Sequence, residues 1–212
     1  MSILLKRCAV GSAACAVLFF GGCTSSSKAP ASADSAAKAP AAPPELVTAK
    51  TAFWPMDKAA VSWASDAVPL DVKAKDLTGF KNEGGKAAIW EATFASRSLG
   101  AQRVETYAIA TVLPSVHKGA TAGLKQLWRG ETQDVMAIDP SAFKIDSDAA
   151  YQAASQDAAA WLKKNPDKKL TSIALGNAAR FHGPVWALLW GDKKSGYVAY
   201  VDANSGKVLK GK

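Results

Sequence analysis

Apolar residues recur at three- and four-residue steps over residues 56–68, where Met56, Ala60, Trp63, Ala64 and Ala67 share one helical face while Lys58, Ser62 and Asp66 point away. Pro55 ahead of the first turn and Pro69 after the last bracket this predicted helix. The period then drops to two. In residues 87–95, Trp90, Ala92 and Phe94 fall on one side of an extended strand, and a second extended stretch, 104–113, follows the loop at Ser98, Leu99 and Gly100. Together they predict an antiparallel hairpin with one face on the core.

The same order returns in the second half. Asp146, Ser147 and Asp148 supply a cap and acidic first-turn charge for a helix whose stripe is Ala150, Ala154, Ala158, Trp161 and Leu162. Lys163 and Lys164 fill its last turn, and Asn165-Pro166 stops it. Strands are predicted at 170–175, 184–190 and 197–202, the last two joined by the turn Asp192-Lys193-Lys194-Ser195-Gly196. Asn204-Ser205-Gly206 forms a further turn into a short strand at 207–209.

Comparing the halves suggests duplication. Trp63 precedes Trp90 by 27 residues and Trp161 precedes Trp186 by 25. Ile89-Trp90 matches Val185-Trp186, Tyr107-Ala108-Ile109 corresponds to Tyr197-Val198-Ala199 or Tyr200-Val201, and Val116-His117-Lys118-Gly119 echoes Val208-Leu209-Lys210-Gly211. Two unrelated α+β segments with common tryptophan and glycine placement are the competing explanation.

The run Pro184-Val185-Trp186 followed by residues 196–208, Gly-Tyr-Val-Ala-Tyr-Val-Asp-Ala-Asn-Ser-Gly-Lys-Val, resembles the end of a PepSY or PepSY-like domain. The resemblance covers residues 146–212, with a degenerate first copy expected in 50–120. It implies an α+β fold of two tandem units, each a helix across an antiparallel sheet in a cystatin-like arrangement, packed as one domain. Some relatives are thought to restrain peptidases.

The first 48 residues carry a different pattern. Lys6 and Arg7 precede an uncharged stretch, 8–22, which at 15 residues is shorter than the roughly 20 a spanning helix needs. It ends Phe20-Gly21-Gly22-Cys23, which resembles the lipobox of bacterial lipoproteins. That resemblance implies cleavage after residue 22, acylation of Cys23 and a membrane anchor through its acyl chains; Thr24, rather than an aspartate, implies the outer membrane of a Gram-negative cell. Residues 24–45 contain only Ser, Thr, Ala, Pro, Lys, Asp and Glu, so they predict a disordered spacer. The expected organisation is a leader at 1–22, an anchor and linker at 23–48, a first unit at 49–122, a connection at 123–145 and a second unit at 146–212.

Composition adds mainly exclusions. All three cysteines lie within the first 23 of the 212 residues, so the rest of the chain can build neither an internal disulfide nor a thiolate metal site. The formal charge of +8 falls to +6 without Lys6 and Arg7, which favours an anionic partner without naming one. Export argues against nucleic acid as that partner.

Candidate chemistry is sparse, and no cofactor or metal is expected. His117 and His182, the two histidines, lack the paired spacing of a zinc site. Ser195 and Ser205 sit in hairpin turns rather than nucleophile elbows, Asp146 and Asp148 read as caps, and Gly84-Gly85 reads as a bend. Basic and aromatic residues gather twice: at Lys125 to Arg129 around Trp128, and in the last hairpin at Trp190, Lys193, Lys194, Tyr197 and Tyr200. The second group is the candidate binding surface for a peptide, a protein partner or an envelope polymer. The expected function is thus a noncatalytic envelope binding or regulatory module. The alternative is a hydrolase or polymer-modifying enzyme whose acids, such as Asp139, Asp146 and Asp202, converge in space.

Overall fold

Helix α1 spans Ala49–Trp63 in the computed structural model, which describes residues 44–112 and 114–210. Its buried stripe is Ala49, Ala52, Phe53, Met56 and Ala60, and the Thr48 hydroxyl accepts from the Thr51 amide as its cap. The helix therefore begins seven residues before the expected 56, with Pro55 inside it rather than ahead of it. Pro55 forgoes the bond to the Thr51 carbonyl, and both residues lie on the exposed side of the helix.

Strand β1 (Val68–Lys75) was not anticipated by the pattern, because Pro69 argues against a strand interior. A register irregularity between Pro69 and Asp71 accommodates it. β2 (Ile89–Ser96) pairs antiparallel with β3 (Ala101–Ala108) in register from Ile89 opposite Ala108 to Ser96 opposite Ala101. β3 starts three residues before the expected 104 and ends earlier. β4 (Gly119–Ala122) and the two-residue β5 (Gln126–Leu127) both pair with β3, so part of the expected connection belongs to the sheet.

A 3-10 turn at Pro140–Ala142 leads to α2 (Ser147–Lys164), where Ala150, Ala154 and Ala158 are buried as the sequence pattern predicts. β6 (Leu170–Gly176), β7 (Val185–Trp190), β8 (Tyr197–Asp202) and β9 (Val208–Leu209) complete the order.

The architecture is α+β, with two helices and one antiparallel sheet among the described residues. The nine strands run β4-β3-β2-β1-β6-β7-β8-β9, with β5 beside β4 on the β3 edge. Each half therefore adds strands outward from the central β1–β6 pair, in which Asp71, Val72 and Lys73 oppose Gly176, Leu175 and Ala174.

Both helices cover the face that carries Trp90, Ala92, Phe94, Leu175, Trp186, Leu188 and Trp190, and these residues form one buried cluster with the helix stripes. The helix starts are also tied together. Asp146 Oδ1 accepts from its own Ser147 amide at 2.7 Å and from Lys50 N at 3.0 Å, while Ser147 Oγ accepts from Ala49 N at 2.9 Å. One aspartate thus serves orphan donors of two helices.

The equivalences differ in one detail from those suggested by the sequence. Trp90 faces Tyr107 across its hairpin, whereas Trp186 faces Val201, so Tyr107 corresponds to Val201 and neither Tyr197 nor Tyr200 takes its place.

Candidate functional site

The sheet face opposite the helices carries a groove of about 250 Å³. Strand alternation sets its floor, because Ile173, Leu175, Trp186 and Leu188 turn toward the helices and leave Ala174, Gly176 and Ala187 on the other side. These small residues keep the floor shallow. Val135 and Asp134 come from the connection between the halves, which is held by Met136 N donating to Asn177 O and Ala179 N donating to Gln133 O.

The far wall is a triangle of three side chains in mutual contact. The Arg180 guanidinium lies 4.8 Å from the Phe181 ring centroid and 5.4 Å from that of Tyr200, and the two rings are 5.2 Å apart. Arg180 Nη2 also donates to the Tyr200 hydroxyl at 3.4 Å, so the guanidinium is fixed against the rings while its remaining edge donors face the groove. Among the described residues no carboxylate pairs with Arg180, whereas Lys73 on the floor already meets Asp71 at 2.9 Å. The arrangement can receive an extended chain over an apolar floor and offer it one directed cation.

A wider cleft of about 570 Å³ lies on the helix side, between α2, β6 and the loop after β1. Tyr151, Leu162 and Trp190 line its inner part, and Lys81, Lys168 and Lys169 stand with Asp76 and Glu83 around it.

The five residues proposed from the last hairpin are not brought together. Trp190 is buried beneath α2, with ring centroids 6.4 Å from Tyr151 and 6.5 Å from Tyr197. Tyr197 shares that face, where its hydroxyl donates to Asp157 at 2.7 Å, and this bond to a carboxylate raises its pKa. Tyr200 points to the opposite face and joins the groove. Lys193 and Lys194 are exposed in the turn between them. Cys23 lies outside the described residues.

The nominated acids occupy local structure. Asp139 accepts from Ser141 N at the 3-10 turn, and the Ser141 hydroxyl together with that amide holds its carboxyl below the usual range. Asp146 bridges the helix starts. Desolvation alone would push Asp202 up, but donors from Ser205 and Asn204 outweigh it and leave the carboxyl lowered. Asp192 is also well below the usual range, because the Ser195 hydroxyl and the Ser195 and Lys194 amides donate to it. Ser195 and Ser205 are therefore turn donors, and both histidines are exposed in loops. Among the described residues no three His, Cys, Asp or Glu side chains gather where a metal ion could be held, and no helix is long and apolar enough to cross a membrane.

The sequence missed Arg180 and Phe181. Their signal was weak, because a single Arg-Phe pair in the loop before His182 becomes significant only when β8 brings Tyr200 beside it.

No protein-family model matches the chain, and no curated protein matches it either. Among solved structures the chain is similar to a proposed lipoprotein from Clostridium difficile 630, with 12% identity over 78% of this chain and 93% of that one and a TM-score of 0.49.

Proposed function

We propose that this chain is a noncatalytic lipoprotein of the bacterial cell envelope that binds an extended peptide or protein segment across the helix-free face of its sheet. The observation carrying the reading is the groove itself: a floor of Ala174, Gly176 and Ala187, bounded by a guanidinium set against two mutually touching rings and paired with no acid. Peptide recognition at such a surface combines a few side-chain pockets with one oriented polar contact. The placement of Asp139, Asp146 and Asp202 in caps and turns supports binding over carboxylate-based hydrolysis.

The anchor rests on the sequence, through the basic-then-apolar leader and Gly21-Gly22-Cys23. The halves read as two copies of a PepSY-like unit, supported by the matching outward order of their strands and the equivalent positions of Trp90 and Trp186. Peptidase restraint and an outer-membrane address are finer parts of the same proposal.

Photocrosslinking in the native envelope tests it. A benzophenone side chain at position 200 is expected to capture a defined partner that binds the purified protein and loses affinity in Arg180→Ala. The same group at position 197, beneath α2, is expected to capture none. Equal capture at both positions, or affinity indifferent to Arg180→Ala, contradicts the groove as the binding site.

A further inference from the structure

The largest exposed apolar side chains are concentrated away from the groove, on the edge formed by α1 and the outer strands of the first half. Leu124 is 87% exposed, Leu127 71%, Trp54 52% and Val61 47%, and Leu99 is also exposed. Isolated surface leucines need no explanation, but a contiguous group does.

Local structure brings several of these to one corner. β5 sets Leu127 opposite Ala101, on the sheet face that α1 covers, and Trp128 N donates to Gly100 O beside Leu99. The last turns of α1 reach the same corner, since Arg103 donates to Ala59 O and stacks over Trp63. Trp54, Lys58 and Val61 recur at four- and three-residue steps along the outer face of that helix. Lys58, Arg97, Lys125 and Arg129 are exposed among these apolar residues. Of the acids near it, Asp57 and Asp66 are half-buried, Asp66 is engaged by Ser96 and Ser98, and Glu131, two residues after Arg129, is exposed.

We infer that this edge docks on the surface of an anionic lipid bilayer, with Leu124, Leu127, Trp54 and Val61 entering the headgroup boundary and the four cations meeting phosphate. The inference rests on the lipoprotein reading for its geometry. Residues 24–43 number 20, so even fully extended they hold the start of the described chain within about 70 Å of an acylated Cys23. Docking then becomes an intramolecular event, and a weak surface affinity suffices because the effective concentration is high. Apolar insertion combined with basic residues is the pattern of interfacial membrane contact, and charge complementarity selects a lipid surface over an apolar protein groove.

The test uses the mature chain from residue 23 carrying Cys23→Ser, so that no acyl chain contributes. It is expected to float with vesicles of phosphatidylethanolamine and phosphatidylglycerol, to float less in high salt, and to bind phosphatidylcholine vesicles weakly. Leu124→Asp combined with Leu127→Asp is expected to lower the partition coefficient by about tenfold or more. Val198→Asp, a change at a 43% exposed apolar position elsewhere, should leave it unaltered.

In the same background, Leu124→Cys gives a single thiol, and an environment-sensitive dye there should shift to the blue on anionic vesicles, while one at Val198→Cys should not. No flotation and no dye shift overturns the docking, even if Cys23 is acylated in cells. Self-association that disappears in the double aspartate variant, without vesicle binding, also overturns it and makes the edge an interface between copies. Flotation of this chain together with an unacylated Cys23 in cells leaves the docking standing and removes the anchor instead.

Discussion

Trp90 and Trp186 meet edge to face, with ring centroids 6.4 Å apart, and each indole donates at 3.0 Å to the carbonyl two residues ahead of its own helix: Trp90 to Val47 O and Trp186 to Ile145 O. The rings link both helix starts to the middle of a single sheet. Replacing either by Ala should cost about 3–5 kcal/mol, and replacing either by Phe less, with a loose carbonyl accounting for about 1–3 kcal/mol. Urea unfolding followed by circular dichroism should remain one transition in each variant. Two separated transitions would show that the halves unfold independently.

Beneath α1, β3 places the fully buried Glu105 beside Arg103. The contact is a charge pairing without an aligned hydrogen bond, since neither carboxylate oxygen has a hydrogen-bond partner. The matching position in the second half is Ala199, so the pair is particular to the first. Arg103→Ala should destabilise by about 3–5 kcal/mol by leaving the carboxylate buried alone. Equilibrium unfolding checks this, and a loss below about 1 kcal/mol, the value of an exposed pair, would place the couple in contact with water.

Burial raises the Glu105 pKa, and the Arg103 charge only partly offsets it. The folded protein therefore holds this proton more tightly than the unfolded chain, and the stability so gained is present at low pH and lost as pH rises through the folded value. Glu105→Gln should remove that fall. Stability profiles of the two proteins between acid and neutral pH provide the measurement, and parallel profiles would contradict it.

Asp66 has the opposite sign. Donors from Ser96 and Ser98 lower its pKa to about 2, so its contribution is present above the ordinary carboxylate range and disappears as pH falls toward that value. Asp66→Ala should be less stable than the parent at neutral pH, with the gap closing in strong acid. A gap independent of pH would assign the effect to packing.

Gly85 has φ +80°, and a Cβ there would come within 2.3 Å of the Ser147 carbonyl oxygen. Gly85→Ala should cost about 1–3 kcal/mol. Gly79→Ala, with equally positive φ but open space around it, should cost less, as thermal unfolding of both would report.

The second half was legible almost residue by residue, because an Asp cap, an alanine stripe, an Asn-Pro stop and two Asp-initiated turns each leave local marks. The first half was less so. Pro55 reads as a helix start, yet the stripe Ala49, Ala52, Phe53, Met56 and Ala60 lies on both sides of it. Pro69 obscures the alternation of Leu70 and Val72 with Asp71 and Lys73. The groove was not legible at all, since Arg180, Ala187 and Tyr200 belong to different elements and acquire a common face only through sheet register. Tyr200 alone was nominated, for its place in the last hairpin.

The most direct measurement is the mass of the amino-terminal peptide of this protein isolated from its native cells. The account predicts a chain that begins at Cys23 and carries a diacylglyceryl thioether. A leader still attached through Gly22, or an unmodified Cys23 in the mature protein, would contradict it.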